Sequence, residues 1–141
     1  MDMYTIDASV FLNAFNEAEV GHAISNQVIT LLVEQAIPII EPSLVLIEVA
    51  ATISRTRRDA TLAQDFADTL RNMSELIFVP LDDKLMQQAL EIAANHRLRG
   101  ADAIYVAVSA MTRLCYRLIM NILPALLELS QRSHLQKCLP H

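Results

Sequence analysis

The chain has 141 residues, of which 53% are hydrophobic and 19% charged, and its net charge is -5. This composition excludes a disordered chain and predicts one folded domain over residues 1–141. The negative charge excludes a protein that holds nucleic acid through its overall field, so such a contact must be local. The acidic start and the lack of a long apolar run predict a soluble, cytoplasmic protein with no membrane span.

Strands and helices alternate along the first 113 residues. Short runs rich in β-branched and aromatic residues predict strands at 3–6, 37–40 and 76–80. Apolar spacing and capping residues predict helices from Asp7 through "VFLNAF", over 22–35, from Pro42 and Ser43 through "TISRTR", over 59–72, over 82–96, and from Gly100 onward. This alternation predicts an α/β fold with a central parallel sheet covered by helices on both faces.

The end of the chain differs from the rest. "YRLIM" at 116–120 is a candidate fourth strand, and the residues after it have only a weak helical pattern around Pro124. We therefore treat 114–141 as a divergent tail of the single domain.

Asp7 is the first candidate functional residue. It lies at the carboxyl end of the first predicted strand, and ligands and catalytic groups collect at that edge of open parallel sheets. The alternative is that Asp7 serves only as the N-cap of the helix that follows.

Glu48 and Asp102 are single carboxylates in apolar helical stretches. Glu48 is the only charge between Ser43 and Ser54, and either a backbone group or an arginine such as Arg55 could satisfy it. Asp102 lies in the first turn of its helix, where the macrodipole contributes only ~0.3 to 1 kcal/mol. Because that gain is smaller than the cost of burial, Asp102 needs an arginine or a bound metal ion.

Three carboxylates that converge repel one another unless a divalent cation neutralises them. Carboxylate oxygens without nearby His or Cys suit Mg²⁺ or Mn²⁺, and such sites serve phosphoryl chemistry. The alternative without a metal is that arginines pair with all three acids.

The stretches "YTIDASVFLNAF", "EPSLVLIEVAATISR" and "RLRGADAIYVAVSA", in this order, resemble the PIN-domain family, and most closely its VapC-type toxins. The resemblance covers about residues 3–113 and implies a PIN-like three-layer α/β/α domain. It implies an endoribonuclease that uses Mg²⁺ or Mn²⁺ to cut single-stranded RNA, usually a homodimer, inhibited by a cognate antitoxin. Asp7, Glu48 and Asp102 match the family's catalytic, metal-binding acids, and Ser9 matches a small hydroxyl residue near the first acid.

Two groups of arginines become candidate RNA contacts through this resemblance. They are Arg55, Arg57 and Arg58 in "SRTRRD", and Arg97 and Arg99 just before Asp102. The alternative is that these arginines belong to solvated helix ends. The apolar surplus of the sequence predicts a surface covered by a second subunit or an antitoxin helix, with residues 22–35 and 44–72 as the first candidates.

The family's fourth acid is missing from this sequence. Met120, Asn121 and Ile122 stand where a Thr and an Asp are expected after the fourth strand, and Glu128 lies too far downstream to replace them. The alternative function is therefore a catalytically impaired PIN domain that only binds a partner or RNA.

A frameshift is one hypothesis for the altered tail. In the shifted frame, a Leu118 codon ending in G followed by Ile119 gives an Asp codon, and Met120 followed by Asn121 gives a Glu codon. The gene of an independent isolate, read in the same frame with no nearby length difference, would exclude this hypothesis.

Overall fold

The computed structural model describes residues 3–111 and 117–118. Within these residues the elements are β1 (Tyr4–Thr5), α1 (Ala8–Phe15), α2 (His22–Glu34), β2 (Ile39–Pro42), α3 (Leu44–Arg57), α4 (Ala60–Arg71), β3 (Leu76–Val79), α5 (Asp83–His96), α6 (Gly100–Met111) and β4 (Arg117–Leu118). The predicted order of strands and helices is confirmed. The predictions for the tail beyond Leu118 concern residues outside the described part of the chain.

The strands form one parallel sheet in the order β3-β2-β1-β4. Tyr4 of β1 is in register with Ile39 on one side and with Arg117 on the other. Since all strands run the same way, their carboxyl ends share one edge of the sheet. The candidate fourth strand is confirmed at its two described residues.

Helices cover both faces of the sheet, as predicted for an α/β/α domain. Ile39 and Ile40 are neighbours in β2, and because successive side chains of a strand point to opposite faces, they join different core clusters. The first cluster is built mainly from α1 to α4 and contains Ile6, Ala8, Val10, Phe11, Leu32, Ile39, Val45, Val49, Ala67, Leu70, Leu76 and Tyr105. The second is built from α5 and α6 and contains Ile40, Leu85, Ala89, Ala103, Ala107 and Val108.

Strand β2 lies two residues later than the apolar run predicts, and this corrects the expected helix start at Pro42. The strand pairs with β3 as far as Pro42 and Val79, and the Ser43 N–H then donates to the Val79 carbonyl at 2.9 Å. Proline is tolerated because its missing N–H would face β1, which has already ended. The shift places Glu41 inside a buried strand.

Non-glycine residues end three of the helical segments in the left-handed conformation. Arg58 and Arg97 are the C-caps of α3 and α5, with φ of 54° and 56°, and Ala36 follows α2 with φ of 50°. Glycine usually fills such positions, but this chain contains only two glycines. No helix in the described part of the chain is long and apolar enough to cross a membrane.

Candidate active site

Asp7 connects the end of β1 to the start of α1. Its backbone is extended, with φ of -64° and ψ of 147°, and its Oδ2 accepts a hydrogen bond from the Ser9 N–H at 3.1 Å. Asp7 is therefore the N-cap of α1, as the structural alternative predicted. The same contact places Ser9 beside the first acid, although the Ser9 side chain is exposed.

A hydrogen bond between α6 and α3 orients Glu48. The Tyr105 hydroxyl donates to Glu48 Oε2 at 2.5 Å, and Tyr105 is fully buried whereas Glu48 is half-buried. Sequence reasoning assigned no role to Tyr105. The available signal was the Asp-Ala-Ile-Tyr spacing, because residues three apart lie on one side of a helix.

Asp102 precedes Tyr105 by three residues in α6, and its charge acts on Glu48. It is half-buried in the first turn of α6, one turn before Tyr105, so the two side chains lie on the same side of α6. The pKa of Glu48 is raised first by burial, is lowered by the Tyr105 hydrogen bond, and is raised again by the charges of Asp7 and Asp102. The structure thus places Asp7 and Asp102, which belong to two other parts of the fold, within electrostatic reach of Glu48.

Glu41 is a fourth acid at this edge of the sheet, and sequence reasoning missed it. Its side chain is 0% exposed, Oε1 accepts from the Ile6 N–H at 2.6 Å, and Oε2 has no partner among the described residues. Burial raises the pKa of Glu41 well above its ordinary value, the Ile6 hydrogen bond opposes this, and Asp7 and Glu48 raise the pKa further. The signal that could have revealed it was the single charge in the apolar run "IPIIEP".

The predicted RNA-binding arginines lie at two helix ends and are all exposed. Arg55 and Arg57 are in the last turn of α3, where Arg57 donates to Asn16 Oδ1 at 2.7 Å. Arg58 and Arg97 are C-caps, and Arg99 precedes α6. The structure does not bring these arginines into contact with the acids.

Residues 3–111 do not support the alternative in which arginines pair with the three acids. None of Asp7, Glu48 or Asp102 forms an ion pair there, and the pair that is present joins Arg71 to Asp68 at 3.0 Å on the surface. Several carboxyl groups therefore share a partly buried region without a protein cation among the described side chains.

The chemistry of this donor set fits a hard divalent cation. All candidate ligands are carboxylates. Burial is the main cause of the raised pKa values of Glu41 and Glu48, and repulsion from neighbouring acids, which a cation would relieve, adds to it. Within residues 3–111, however, no three His, Cys, Asp or Glu side chains are already arranged to enclose a metal ion. The segment after Leu118, where the family carries its fourth acid, falls outside the described residues.

Comparisons with known proteins support the same fold. The family model described as the PIN domain matches residues 4–114. The structure is similar to VapC20 from Mycobacterium tuberculosis, described as a sarcin-ricin loop cleaving toxin, with TM-score 0.67 and 19% identity over 86% of this chain and 93% of that chain. It is also similar to VapBC2 from Rickettsia felis bound to a DNA fragment from their promoter, with TM-score 0.56 and 16% identity over 76% and 80% of the two chains. No curated protein sequence matches this chain.

Proposed function

Because this chain belongs to the PIN-domain family, we propose that it is a metal-dependent endoribonuclease that hydrolyses phosphodiester bonds of single-stranded RNA. We further propose that it is the VapC-type toxin of a toxin-antitoxin pair in the cytoplasm. The observation that supports the proposal is the electrostatic effect of Asp7 and Asp102 on Glu48, together with the Tyr105 hydrogen bond that joins α6 to α3. The fold shared with VapC20, itself a toxin that cleaves the sarcin-ricin loop, supports this substrate class.

The three acids would hold Mg²⁺ or Mn²⁺ in this proposal. A bound cation of this kind lowers the pKa of water and neutralises charge on phosphate oxygens. The chain's own contribution is to keep the carboxylates in place: the Ser9 N–H holds Asp7, and the Tyr105 hydroxyl holds Glu48. Each bond uses one oxygen of its carboxylate, and the other oxygen, which has no hydrogen bond to the described residues, would bind the cation.

The exposed arginines are the proposed contacts to the RNA backbone. Arg55, Arg57 and Arg58 lie at the end of the helix that carries Glu48, and Arg97 and Arg99 lie just before the helix that carries Asp102. Since the protein as a whole is acidic, phosphate contacts must come from such local groups. Their exposure fits this role, because no acidic side chain in the described region pairs with them.

A groove between α3 and α4 is the proposed antitoxin surface. It has a volume of about 650 Å³ and is lined by apolar and small side chains that include Leu46, Ala50 and Ala63. Ile47, which also lines the groove, is 67% exposed and adds apolar surface beside it. An antitoxin segment with an apolar helix face would cover it. An Ile47→Glu variant is expected to lose antitoxin binding in a pull-down with the cognate partner and to retain its fold.

The predicted homodimer is part of the same proposal. A second apolar groove of about 530 Å³ lies between α5 and α6, where Met86 is 49% exposed and Leu90 63% exposed. Sedimentation equilibrium of the toxin alone gives its mass directly. A monomer at micromolar concentration would contradict the homodimer and leave the nuclease proposal untouched.

RNA cleavage is the experiment that tests the proposed function. Purified protein is incubated with a panel of single-stranded RNAs in Mn²⁺, in Mg²⁺ and in EDTA, beside Asp102→Asn purified in the same way. We expect cleavage that needs the metal and that disappears in the variant. Cleavage that persists in EDTA, or equally in Asp102→Asn, would identify a contaminant or a different mechanism.

The second candidate function is a PIN domain that binds its antitoxin or RNA without cutting. Met120 and Asn121 at the position of the family's fourth acid favour it. In that case neither the wild-type protein nor Asp102→Asn cuts RNA, both remain folded, and both still bind the antitoxin. Asn121→Asp then tests whether this position completes the site. If it does, the variant should cut RNA when the metal is present.

A further inference from the structure

The hydrogen-bond ladder between β1 and β2 is cut short beside Asp7. Tyr4 pairs with Ile39 in normal parallel geometry, and its N–H donates to the Pro38 carbonyl at 3.2 Å. If the ladder continued in this register, the Ile6 N–H would next donate to the Ile40 carbonyl, and the Ile6 carbonyl would then receive the N–H of residue 42. Residue 42 is proline and has no N–H, so the second of these bonds cannot form. The first is also replaced, because the Ile6 N–H has a side-chain partner.

A side chain takes over where the ladder stops. The Ile6 N–H donates to Glu41 Oε1 at 2.6 Å, and Ile6 is the residue immediately before Asp7. Both Ile6 and Glu41 are 0% exposed. The bond is therefore screened from water and fixes the Thr5–Ile6 peptide, one residue before Asp7.

We propose that Glu41 is a positioning residue that sets the place of Asp7 through its hydrogen bond to the Ile6 N–H. The inference rests on the proposed function in that Asp7 is taken as a metal-binding acid. Glu41 acts through the backbone and does not itself contact the cation or the RNA.

Burial of the Glu41 carboxyl group is energetically unfavourable, which supports a specific role for this side chain. A carboxyl group at a fully buried strand position loses its hydration, and Glu41 Oε2 gains no hydrogen bond in return from the described residues. An apolar side chain would avoid this cost, as at Ile39 and Ile40 in the same strand. The contact that Glu41 does make goes to the chain segment that carries Asp7.

Two conservative variants separate the hydrogen bond from the charge. Glu41→Gln keeps an acceptor oxygen at the same reach and removes the negative charge. Glu41→Asp keeps the charge but is one methylene shorter, so its oxygens fall short of the Ile6 N–H. If Glu41→Asp fails to fold, Glu41→Met, which fills the volume without offering an acceptor oxygen, takes its place.

Ser43→Ala is the matched control. The Ser43 hydroxyl also forms a side-chain hydrogen bond at the end of β2, to the Val79 carbonyl at 3.1 Å, but that bond reaches β3 and not the strand that carries Asp7. A general loosening of the strand end would affect the Ser43→Ala and Glu41→Asp proteins alike.

The first readout is the amide NMR spectrum of the metal-free protein. In Glu41→Asp we expect the exchange protection of the Ile6 amide to fall by about tenfold or more, with shifted resonances for Asp7 and Ser9. Glu41→Gln and Ser43→Ala should leave these signals close to those of the wild type. Unchanged Asp7 and Ser9 resonances in Glu41→Asp would overturn the inference.

The second readout is the affinity for Mn²⁺, measured by calorimetry. Glu41→Asp should bind Mn²⁺ about 10- to 100-fold more weakly, the usual effect of losing a group that orients a ligand, while Glu41→Gln and Ser43→Ala stay within about threefold. Equal weakening in Glu41→Gln and Glu41→Asp would overturn the inference, because it would assign the effect to charge. If the wild type binds no Mn²⁺, the proposed function fails, and the NMR result alone decides whether Glu41 positions Asp7.

Discussion

The Tyr105 hydroxyl and Glu48 Oε2 are 2.5 Å apart, and this hydrogen bond joins the helix that carries Asp102 to the helix that carries Glu48. It also favours the ionised form of Glu48, in opposition to burial and to the neighbouring acids. The bond therefore acts both on the geometry of the site and on its charge state.

Replacing Tyr105 by Phe should raise the pKa of Glu48 further, because the contact that lowers it is lost. If Glu48 must be ionised to bind the cation, the acidic limb of the cleavage profile moves to higher pH. We also expect a loss of about 1 to 2 kcal/mol in the free energy of unfolding. The measurement is the rate of RNA cleavage from pH 5 to pH 9.

Tyr4→Phe is the control for this variant, since the Tyr4 hydroxyl forms no hydrogen bond with any described residue. Its profile should overlay that of the wild type. Identical profiles for Tyr105→Phe and the wild type would show that the Tyr105–Glu48 bond does not control ionisation.

Asp7→Asn should abolish metal-dependent cleavage without destabilising the metal-free protein. Asn caps a helix as well as Asp does, so the bond from the Ser9 N–H survives while the repulsion from Glu41 and Glu48 is relieved. The unfolding free energy in EDTA is expected to stay equal or to rise by up to about 1 kcal/mol.

The matched control for Asp7→Asn is Asp59→Asn. Asp59 is also a helix N-cap, with Oδ1 accepting from the Leu62 N–H at 2.9 Å, but it is exposed and lies at the start of α4. This variant should cut RNA normally. A clear loss of stability in Asp7→Asn would favour a purely structural role for Asp7.

The metal-free protein should lose stability as the pH rises above the ordinary carboxyl pKa of 4.5. Burial raises the pKa of Glu41 in the folded state, so between 4.5 and the raised value the folded protein keeps a proton that the unfolded chain has released. Stability therefore falls with pH across this window, by about 1.4 kcal/mol for each unit of raised pKa.

Urea unfolding in EDTA at pH 5 and pH 7.5 tests this dependence. The difference between the two pH values should shrink in Glu41→Gln, with the remainder due to Glu48. Glu34→Gln, at the exposed end of α2, should leave the difference unchanged. An equal pH dependence in Glu41→Gln and the wild type would contradict the assignment to Glu41.

The left-handed residues are predicted sites of stabilisation. Ala36→Gly should raise the unfolding free energy by about 0.5 kcal/mol, because relief of the strain at φ of 50° exceeds the entropy that glycine adds to the unfolded chain. The same change at exposed Ala94, inside α5, should cost about 1 kcal/mol. Chemical denaturation compares the two, and a loss of stability in both would refute the strain argument.

Arg97→Gly should combine this gain in stability with weaker RNA binding. Arg97 is the left-handed C-cap of α5 and one of the proposed phosphate contacts. Denaturation measures the stability of the variant, and fluorescence anisotropy measures its affinity for RNA. Higher stability with lower affinity would show that Arg97 both strains the backbone and contacts RNA. Unchanged affinity would remove Arg97 from the proposed RNA contacts.

The sequence was sufficient for the parallel α/β fold, because that fold follows from apolar periodicity. The assignment of Asp7, Glu48 and Asp102 as site residues came from single charges in apolar runs and stays a prediction. The sequence did not predict that Glu41 is a buried strand residue near these acids. That error came from ending β2 at Ile40: proline at residue 42 suggested a helix start, whereas tertiary pairing with β3 extends the strand through it. Likewise, the partner of Tyr105 depends on how α3 and α6 pack, and spacing along one helix does not encode that contact.

Binding of Mn²⁺ to the purified protein tests most directly whether the three acids form one cation site. Urea unfolding is followed with and without Mn²⁺ for the wild type, Asp102→Asn and Asp59→Asn. The account predicts that Mn²⁺ at 100 times its dissociation constant stabilises the wild type and Asp59→Asn by about 2.7 kcal/mol and leaves Asp102→Asn nearly unaffected. Equal stabilisation of all three proteins, or of none, would contradict it.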